Sequence, residues 1–250
     1  MPDALADVLA LPGLGWLVLA VSVAGIVRGF AGFGSAMIIM PVASTVLNPV
    51  AAITFMMATE LLGPVPNVAG AWRSAAKDDV LRLALGAAVG LPIGVLALAN
   101  MPAELFGWLV SLTVLGLLAA LMAGWRYRGR LTPSLVTGTG ALGGALAGSV
   151  GLAGPPVIML YMASLRPIAA IRANLTLYLV MIDLMMIAVI AAFGLLQAGA
   201  MIAGLLLSLP YMAVNWIGGR LFDPAREKLF RGVAYVIIAA SAILGLPVWH

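Results

Sequence analysis

The chain has 250 residues and a net charge of +4; hydrophobic residues make up 64% of it, charged residues only 9%, and its mean hydropathy is +1.15. Soluble domains contain about 45–50% apolar and about 25% charged residues, so this composition excludes a soluble protein and predicts an integral membrane protein. The chain contains no cysteine, and its one histidine is His250. We therefore expect no metal site, no cofactor and, without a clustered basic face, no nucleic-acid partner.

The first apolar stretch, residues 14–47, is interrupted by Arg28 and by a cluster of glycines that includes Gly32 and Gly34. The apolar segments on either side of this break are each shorter than the roughly twenty residues of a transmembrane helix. Two short helices joined by glycines describe a re-entrant hairpin or a broken helix better than one long span. The hairpin is the interpretation that we adopt.

The remaining chain follows the same pattern twice. Three ordinary spans come after the first break, at about 49–72, 80–99 and 103–125. A second pair of short segments, residues 134–165, carries Gly151 and Gly154 at its break. Three more spans follow it, at about 168–195, 200–219 and 230–248. The sequence therefore predicts an all-α polytopic membrane protein with two repeats, residues 1–130 and 131–250, each a glycine-broken hairpin plus three transmembrane helices.

The two halves share residues as well as hydropathy. The segment Pro49-Val-Ala-Ala-Ile53 reappears as Pro167-Ile-Ala-Ala-Ile171, and Gly29 corresponds to Gly148 at nearly the same separation. Self-similarity at a fixed separation indicates duplication. Three crossings per half is an odd number, so the second copy would be inverted in the membrane relative to the first.

Basic residues predict the orientation of the chain. If both glycine segments are hairpins, the basic loops share one face, with Arg73, Lys77, Arg126, Arg128, Arg130, Arg166, Arg220, Arg226, Lys228 and Arg231. The positive-inside rule makes that face cytoplasmic. We expect an inner-membrane protein with both termini periplasmic, and with Gly129 and Asp223 cytoplasmic.

Few polar or ionisable residues are expected at membrane depth in the predicted spans and breaks: Arg28, Glu60, Asn67, Asn174, Asp183 and Asn215. Each charged side chain costs about 2.5–3.5 kcal/mol at the bilayer centre, which favours a functional role facing the protein interior. The alternatives are that the charged residues form a structural ion pair and that the asparagines form hydrogen bonds between helices.

The glycine breaks predict an anion site. A helix that starts near Ser35 would direct its unpaired N–H groups into the membrane, with about half a positive charge, and Pro155-Pro156 would start a second such helix from the other side. With Arg28 these features form an anion site whose predicted members are Arg28, Gly32, Gly34, Ser35, Gly151, Gly154, Asn174 and Asn215. The alternative is that the glycines only allow close packing, as we expect for Gly86, Gly90 and Gly94.

Glu60 and Asp183 are the predicted proton-coupling residues. Each is a carboxyl group in the first full span of its half, and such a group can alternate between charged and neutral forms. An ionised carboxylate beside Arg28 would compete with an arriving anion, which links proton binding and anion binding within one site. The alternative is a permanent ion pair with Arg28 that stabilises the fold.

The paired glycine segments resemble the repeated motif of the TauE/SafE (sulfite exporter) family. The first reads Gly-Phe-Ala-Gly-Phe-Gly-Ser-Ala from Gly29, with Pro41 following, and the second reads Gly-Ser-Val-Gly-Leu-Ala-Gly-Pro-Pro from Gly148. The resemblance extends over nearly the whole chain and implies a carrier of small sulfur-containing or carboxylate anions. Ser35 replaces a further glycine, and Leu160 stands where the second copy would repeat Pro41, which leaves the substrate open.

The sequence thus predicts a secondary transporter that moves a small organic or sulfur-containing anion, such as sulfite, a sulfonate or sulfoacetate, across the inner membrane by alternating access. Its partners would be the anion, protons and lipid, and a homodimer is left open. A passive anion channel is one alternative. An intramembrane enzyme acting on an anionic lipid is another, although a serine protease needs a buried histidine and an aspartyl protease a second aspartate.

Overall fold

The computed structural model describes residues 13–124, 131–161, 167–221 and 223–249. Within these residues 86% of the chain is helical and no strand occurs, so the predicted all-α class is confirmed. The helices are α1 (Leu14–Ala31), α2 (Ser35–Val46), α3 (Pro49–Glu60), α4 (Val65–Ser74), α5 (Lys77–Ala99), α6 (Ala103–Met122), α7 (Pro133–Val150), α8 (Gly154–Tyr161), α9 (Ile168–Ala192), α10 (Ala198–Leu221) and α11 (Glu227–Leu244). The residues with sequence-based expectations that lie outside the described part are Arg126, Arg128, Gly129, Arg130, Arg166 and His250.

Helices α1, α5, α6, α9 and α10 are, among the described residues, long enough and apolar enough to cross a membrane. Their outer faces carry large apolar side chains, as on α5, where the exposed residues at helical spacing are Leu81, Leu85, Val89, Ile93 and Leu96. Such faces suit a lipid environment and would be unfavourable in water. The protein is therefore a multi-pass membrane protein.

The predicted span at 49–72 differs from the structure, which contains two shorter helices there. α3 ends at Glu60 and α4 begins at Val65, with a turn between them. The cause is local, because Gly63 is followed by Pro64 and then Pro66. Proline lacks an N–H group and disfavours helical backbone at the residue before it. α3 is consequently only about 18 Å long.

The chain forms two compact units, and these do not follow the predicted domain boundary after residue 130. Unit 1 comprises Met1–Gly63, Met101–Met122 and Gln197–His250, and unit 2 comprises Pro64–Asn100 and Ala123–Leu196. Each unit therefore combines helices from both predicted repeats. The reason lies in the packing, since α10 from the second half packs along α1, and α5 from the first half packs along α7.

In unit 1, α1 and α2 form an antiparallel hairpin, which we call hairpin 1. Gly13 precedes α1, and a Cβ atom on it would lie 2.8 Å from Cβ of Val46, the last residue of α2. A broken straight helix would place these two ends far apart, so the hairpin alternative is the one that the structure contains. Gly32 and Gly34 form the turn with φ of 78° and 96°, a left-handed backbone that favours glycine.

In unit 2, α5 and α7 pack through glycines on both helices, namely Gly86, Gly90 and Gly94 on α5 and Gly140, Gly144 and Gly148 on α7. A Cβ atom on Gly94 would lie 2.9 Å from Cα of Gly148, closer than real Cβ contacts allow. The close packing expected for the α5 glycines is therefore present, and small residues of this kind let helix backbones approach in membranes. α7 and α8 are joined by the second break, and we call this pair hairpin 2.

Candidate functional site

A cluster of polar side chains lies at the break of hairpin 1, inside unit 1. Arg28 forms an ion pair with Oε1 of Glu60 through Nη1, and the same Nη1 donates a hydrogen bond to Oγ of Ser35 at 3.0 Å. Ser35 Oγ donates in turn to Glu60 Oε1, and the hydroxyl of Tyr211 donates to this same oxygen at 2.8 Å. One carboxylate oxygen thus accepts from a guanidinium group and from two hydroxyl groups.

Each member of this cluster lies where the helices of unit 1 begin, end or cross. Arg28 is in the last turn of α1, Ser35 is the first residue of α2, and Glu60 is the last residue of α3. The carboxylate of Glu60 therefore lies at the N-terminus of α2, where the helix dipole favours negative charge. The side chains of Arg28 and Glu60 are 21% and 14% exposed, so the ion pair is partly shielded without being sealed.

Glycines on α1 allow α10 to bring Tyr211 into the cluster. A Cβ atom on Gly25 would lie 2.9 Å from the carbonyl oxygen of Tyr211, and one on Gly29 would lie 2.7 Å from the amide nitrogen of Gly219. Larger residues at either position would push the two helices apart. The carbonyl oxygen of Asn215 is also packed against Gly29, so the structure places Asn215 beside the cluster through its backbone.

The tip of hairpin 1, residues 30–34, packs against aromatic residues of α11. The ring centroids of Phe30 and Phe230 are 5.2 Å apart, those of Phe33 and Tyr235 are 6.4 Å apart, and both partners lie in the first half of α11. The physical reason is that α1 continues through Arg28 to Ala31 and is about 27 Å long. The cluster consequently lies toward the end of unit 1 that carries its basic residues Arg220, Arg226, Lys228 and Arg231.

The second break, in unit 2, has a similar backbone and different chemistry. α7 ends at Val150 and is followed by Gly151 with φ of 74°, and Gly154 is the first residue of α8. Near it Tyr178, which is fully buried, donates a long hydrogen bond of 3.5 Å to the carbonyl of Gly140. The sequence separation between the two predicted repeats aligns Tyr178 with Glu60 of the first half.

Asn174 and Asp183, the asparagine and the acid predicted in the second half, belong to unit 2. Asn174 is 1% exposed; its Oδ1 accepts a hydrogen bond from the N–H of Ala76 at 2.8 Å, and its Nδ2 donates to the hydroxyl of Tyr161 at 3.3 Å. This geometry holds the start of α5 in place. Asp183 lies half-buried on α9, and Asn67, which was expected at membrane depth, is exposed on α4.

The structure therefore unites Arg28, Gly32, Gly34, Ser35 and Glu60 in unit 1, whereas Gly151, Gly154, Asn174 and Asp183 belong to unit 2. Tyr211 is the member that sequence reasoning missed, because a tyrosine in an apolar helix is usually a core residue. The available signal was a hydroxyl group inside a predicted span, directly after Pro210. Among the described residues, no group of three or more histidine, cysteine or acidic side chains comes together as a metal site.

Comparison with known protein families matches residues 17–244 to the family described as Sulfite exporter TauE/SafE. No curated protein and no solved structure matches the chain. The family match extends over nearly the whole chain and confirms the resemblance carried by the two glycine motifs. It also agrees with the helical membrane architecture. The chain thus belongs to the sulfite exporter TauE/SafE family, a family of membrane transporters.

Proposed function

We propose that the protein is a secondary transporter for a small sulfur-containing anion, a sulfite or a sulfonate, and that Glu60 couples its transport to protons. The observation that carries this proposal is the convergence of Arg28, Ser35 and Tyr211 on one oxygen of Glu60. A donor set of this kind binds anionic oxygens in general, and in the empty protein the carboxylate of Glu60 takes that place. Glu60 is thus an internal substitute for the transported anion.

The chemistry of exchange follows from this arrangement. A sulfite or sulfonate group presents three oxygens, and the planar fork of Arg28 can bind two of them while the hydroxyl of Ser35 donates to the third. Such an anion and an ionised Glu60 compete for the same donors. A proton taken up by Glu60 removes its charge and favours the anion, so proton binding and anion binding promote each other.

A permanent ion pair between Arg28 and Glu60 is the competing explanation. Such a pair would serve the fold alone, and burying it completely would protect it from competing ions and water. The side chains of Arg28 and Glu60 both keep some exposure, at 21% and 14%, which supports a site that a small anion can enter. The other predicted members, Gly151, Gly154, Asn174 and Asp183, belong to unit 2 and take no part in the exchange proposed here.

The test is anion flux into proteoliposomes that contain the purified protein, with sulfite and methanesulfonate as probes. Methanesulfonate stays ionised across the useful pH range, so any pH effect on its flux belongs to the protein. We expect saturable flux that accelerates with an imposed pH gradient in the wild type, and loss of that acceleration in Glu60→Gln. Asp183→Asn is the matched acid-to-amide variant in unit 2, and its flux should still accelerate with the pH gradient.

Two results would contradict the proposal. Flux that never saturates would indicate a passive channel, and pH-driven flux that survives in Glu60→Gln would exclude Glu60 from coupling. If the two variants lower only the unfolding temperature, the permanent ion pair is the better explanation. Thermal unfolding with graded sulfite, methanesulfonate and acetate measures binding separately from flux, because a ligand that binds the folded state stabilises it more as its concentration rises relative to its dissociation constant.

We also propose that the two repeats are inverted and that their basic loops are cytoplasmic. Within unit 1 the tip of hairpin 1 packs at the basic end, near Phe230. Within unit 2 the tip of hairpin 2 lies away from the basic start of α5, since Gly148 packs against Gly94. If both basic ends face the cytoplasm, the hairpins enter from opposite sides, which supports inversion.

Cysteines introduced at Gly129 and Asp223 should both be labelled only from the cytoplasmic side; labelling of either from the periplasm contradicts the arrangement.

A further inference from the structure

Tyr211 is the one member of the unit 1 cluster that comes from the second half of the chain. Its side chain is 1% exposed, and its hydroxyl donates to Oε1 of Glu60 at 2.8 Å. α10 packs along both α1 and α3, so this hydroxyl links α10 to the end of α3. Arg28 from α1, Ser35 from α2 and Tyr211 from α10 thus face Glu60 from three different helices.

The ring of Tyr211 is held firmly in this position. A Cβ atom on Gly25 would lie 3.2 Å from Cδ2 of the ring, which shows how closely α1 approaches it. On the other side, a Cβ atom on Gly63 would lie 3.7 Å from Cε1. Gly63 is in the turn after α3, and its N–H donates to the carbonyl of Glu60 at 3.1 Å. The ring therefore lies between α1 and the turn through which the chain leaves unit 1.

We infer that Tyr211 is a positioning residue that holds ionised Glu60 on Arg28 and Ser35 and so sets the pH at which an external anion can replace it. This inference rests on the proposed function. A phenol hydroxyl donates most strongly to a charged oxygen, and a hydrogen bond to a charged group contributes more than a neutral one. Tyr211 therefore stabilises the state in which Glu60 is bound to Arg28 and Ser35, and it does so specifically while Glu60 carries its charge.

Removing the hydroxyl alone should make the site easier for an anion to enter at alkaline pH. In Tyr211→Phe, Glu60 competes less well for Arg28, so methanesulfonate should bind about three- to tenfold more tightly than in the wild type at pH 8. At a pH low enough to protonate Glu60 in both proteins, the two should bind it equally. A tyrosine whose hydroxyl contacts the anion directly would instead lose affinity at both pH values when changed to Phe, and one that only fills space would show no change at either. Each of these results overturns the inference.

Unfolding of the ligand-free protein in detergent gives a second measurement that needs no substrate. Tyr211→Phe should lower the unfolding temperature more at pH 8 than at a pH low enough to protonate Glu60, and in the Glu60→Gln background the pH dependence of this loss should vanish. Equal losses at both pH values in both backgrounds would contradict a role that depends on the charge of Glu60. Tyr178→Phe is the matched control, since it removes a buried tyrosine hydroxyl that donates to a backbone carbonyl; its effect should not change with pH.

The two measurements separate failure of this inference from failure of the proposed function. If wild-type protein binds methanesulfonate at neither pH, the sulfonate assignment fails, and the unfolding data still decide whether Tyr211 depends on the charge of Glu60. If methanesulfonate binds and Tyr211→Phe leaves the pH profile of its affinity unchanged, the function stands and the role of Tyr211 is wrong.

Discussion

The two glycine breaks share a backbone and differ in their chemistry. Each follows a helix that ends on a left-handed glycine, at Gly32 in unit 1 and at Gly151 in unit 2. At the first break the surrounding side chains carry charge, whereas Ala147 and Tyr178 stand in the second half where the first half has Arg28 and Glu60. The second break thus has the same kind of turn without this ion pair.

The difference has an energetic basis. Buried charges are costly in a membrane even when they are paired, so a second cluster would lower stability without improving the fold. Glycine at the turn, by contrast, is needed in both halves because other residues are strained in a left-handed backbone. The comparison therefore separates residues needed for the architecture from residues needed for anion chemistry, and each prediction below tests that separation.

The largest effect should come from Arg28. Arg28→Gln loses the charged fork and should weaken methanesulfonate binding about 100-fold or more, whereas Arg28→Lys keeps the charge and should cost about tenfold. Arg28→Gln should also lower the free energy of unfolding by about 3–5 kcal/mol, because it leaves the Glu60 charge without its cation. Binding isotherms and thermal unfolding measure the two quantities.

A double variant serves as the control for Arg28. Adding Glu60→Gln to Arg28→Gln removes the stranded charge and should restore most of the stability without restoring affinity. Unchanged affinity in a folded Arg28→Gln protein would show that the anion binds elsewhere, and the contrast between the two breaks would then carry no functional meaning.

Glycines in helix contacts should affect both units alike. Gly29→Ala in unit 1 and Gly90→Ala in unit 2 each place a Cβ atom against the backbone of the facing helix, and overpacking of this kind costs about 1–3 kcal/mol or more. Gly138→Ala is the control, since no neighbouring atom would lie within 4 Å of a Cβ atom at that position. It should be neutral or stabilising by up to about 1 kcal/mol. A large effect in only one unit would contradict the prediction that glycines support helix packing in both units.

Asn174 should behave as a structural residue of unit 2. Asn174→Ala removes the acceptor for the N–H of Ala76 at the start of α5, and loss of such a cap costs about 0.5–2 kcal/mol. Methanesulfonate affinity, measured per folded protein, should stay at the wild-type value. A fall in affinity beyond twofold would restore Asn174 to the anion site and make the second break functional as well.

The smallest effect should be at the end of unit 1 opposite the tip of hairpin 1. Asn48 and Gln197 exchange two hydrogen bonds, of 3.3 Å and 3.0 Å, on the exposed surface. Gln197→Ala should lower the free energy of unfolding by about 0.5–1.5 kcal/mol and leave anion affinity unchanged. Asn48→Ala should cost more, because Oδ1 of Asn48 also accepts the N–H of Ala51 at the start of α3. Equal losses in the two variants would mean that this cap contributes nothing.

Much of the architecture could be predicted because its causes are local. Composition and long apolar runs identify membrane helices, and closely spaced glycines interrupt those runs wherever the backbone must turn, as at Gly32 and Gly151. Charged residues in apolar runs are rare enough to point to a site, and Arg28 and Glu60 were both identified in this way. The family motif also lies in these local segments.

The arrangement of that site depends on contacts between residues far apart in the chain, which periodicity and hydropathy do not encode. The turn at Gly63 and Pro64 ends α3, so that Glu60 is the last residue of this helix and lies beside Ser35. The fit of α10 against Gly25 and Gly29 brings in Tyr211, which in sequence is an ordinary core tyrosine. A buried tyrosine hydroxyl can either pack among apolar side chains or donate a hydrogen bond to a charged group. Only the tertiary structure decides which of these occurs, because it determines which atoms meet.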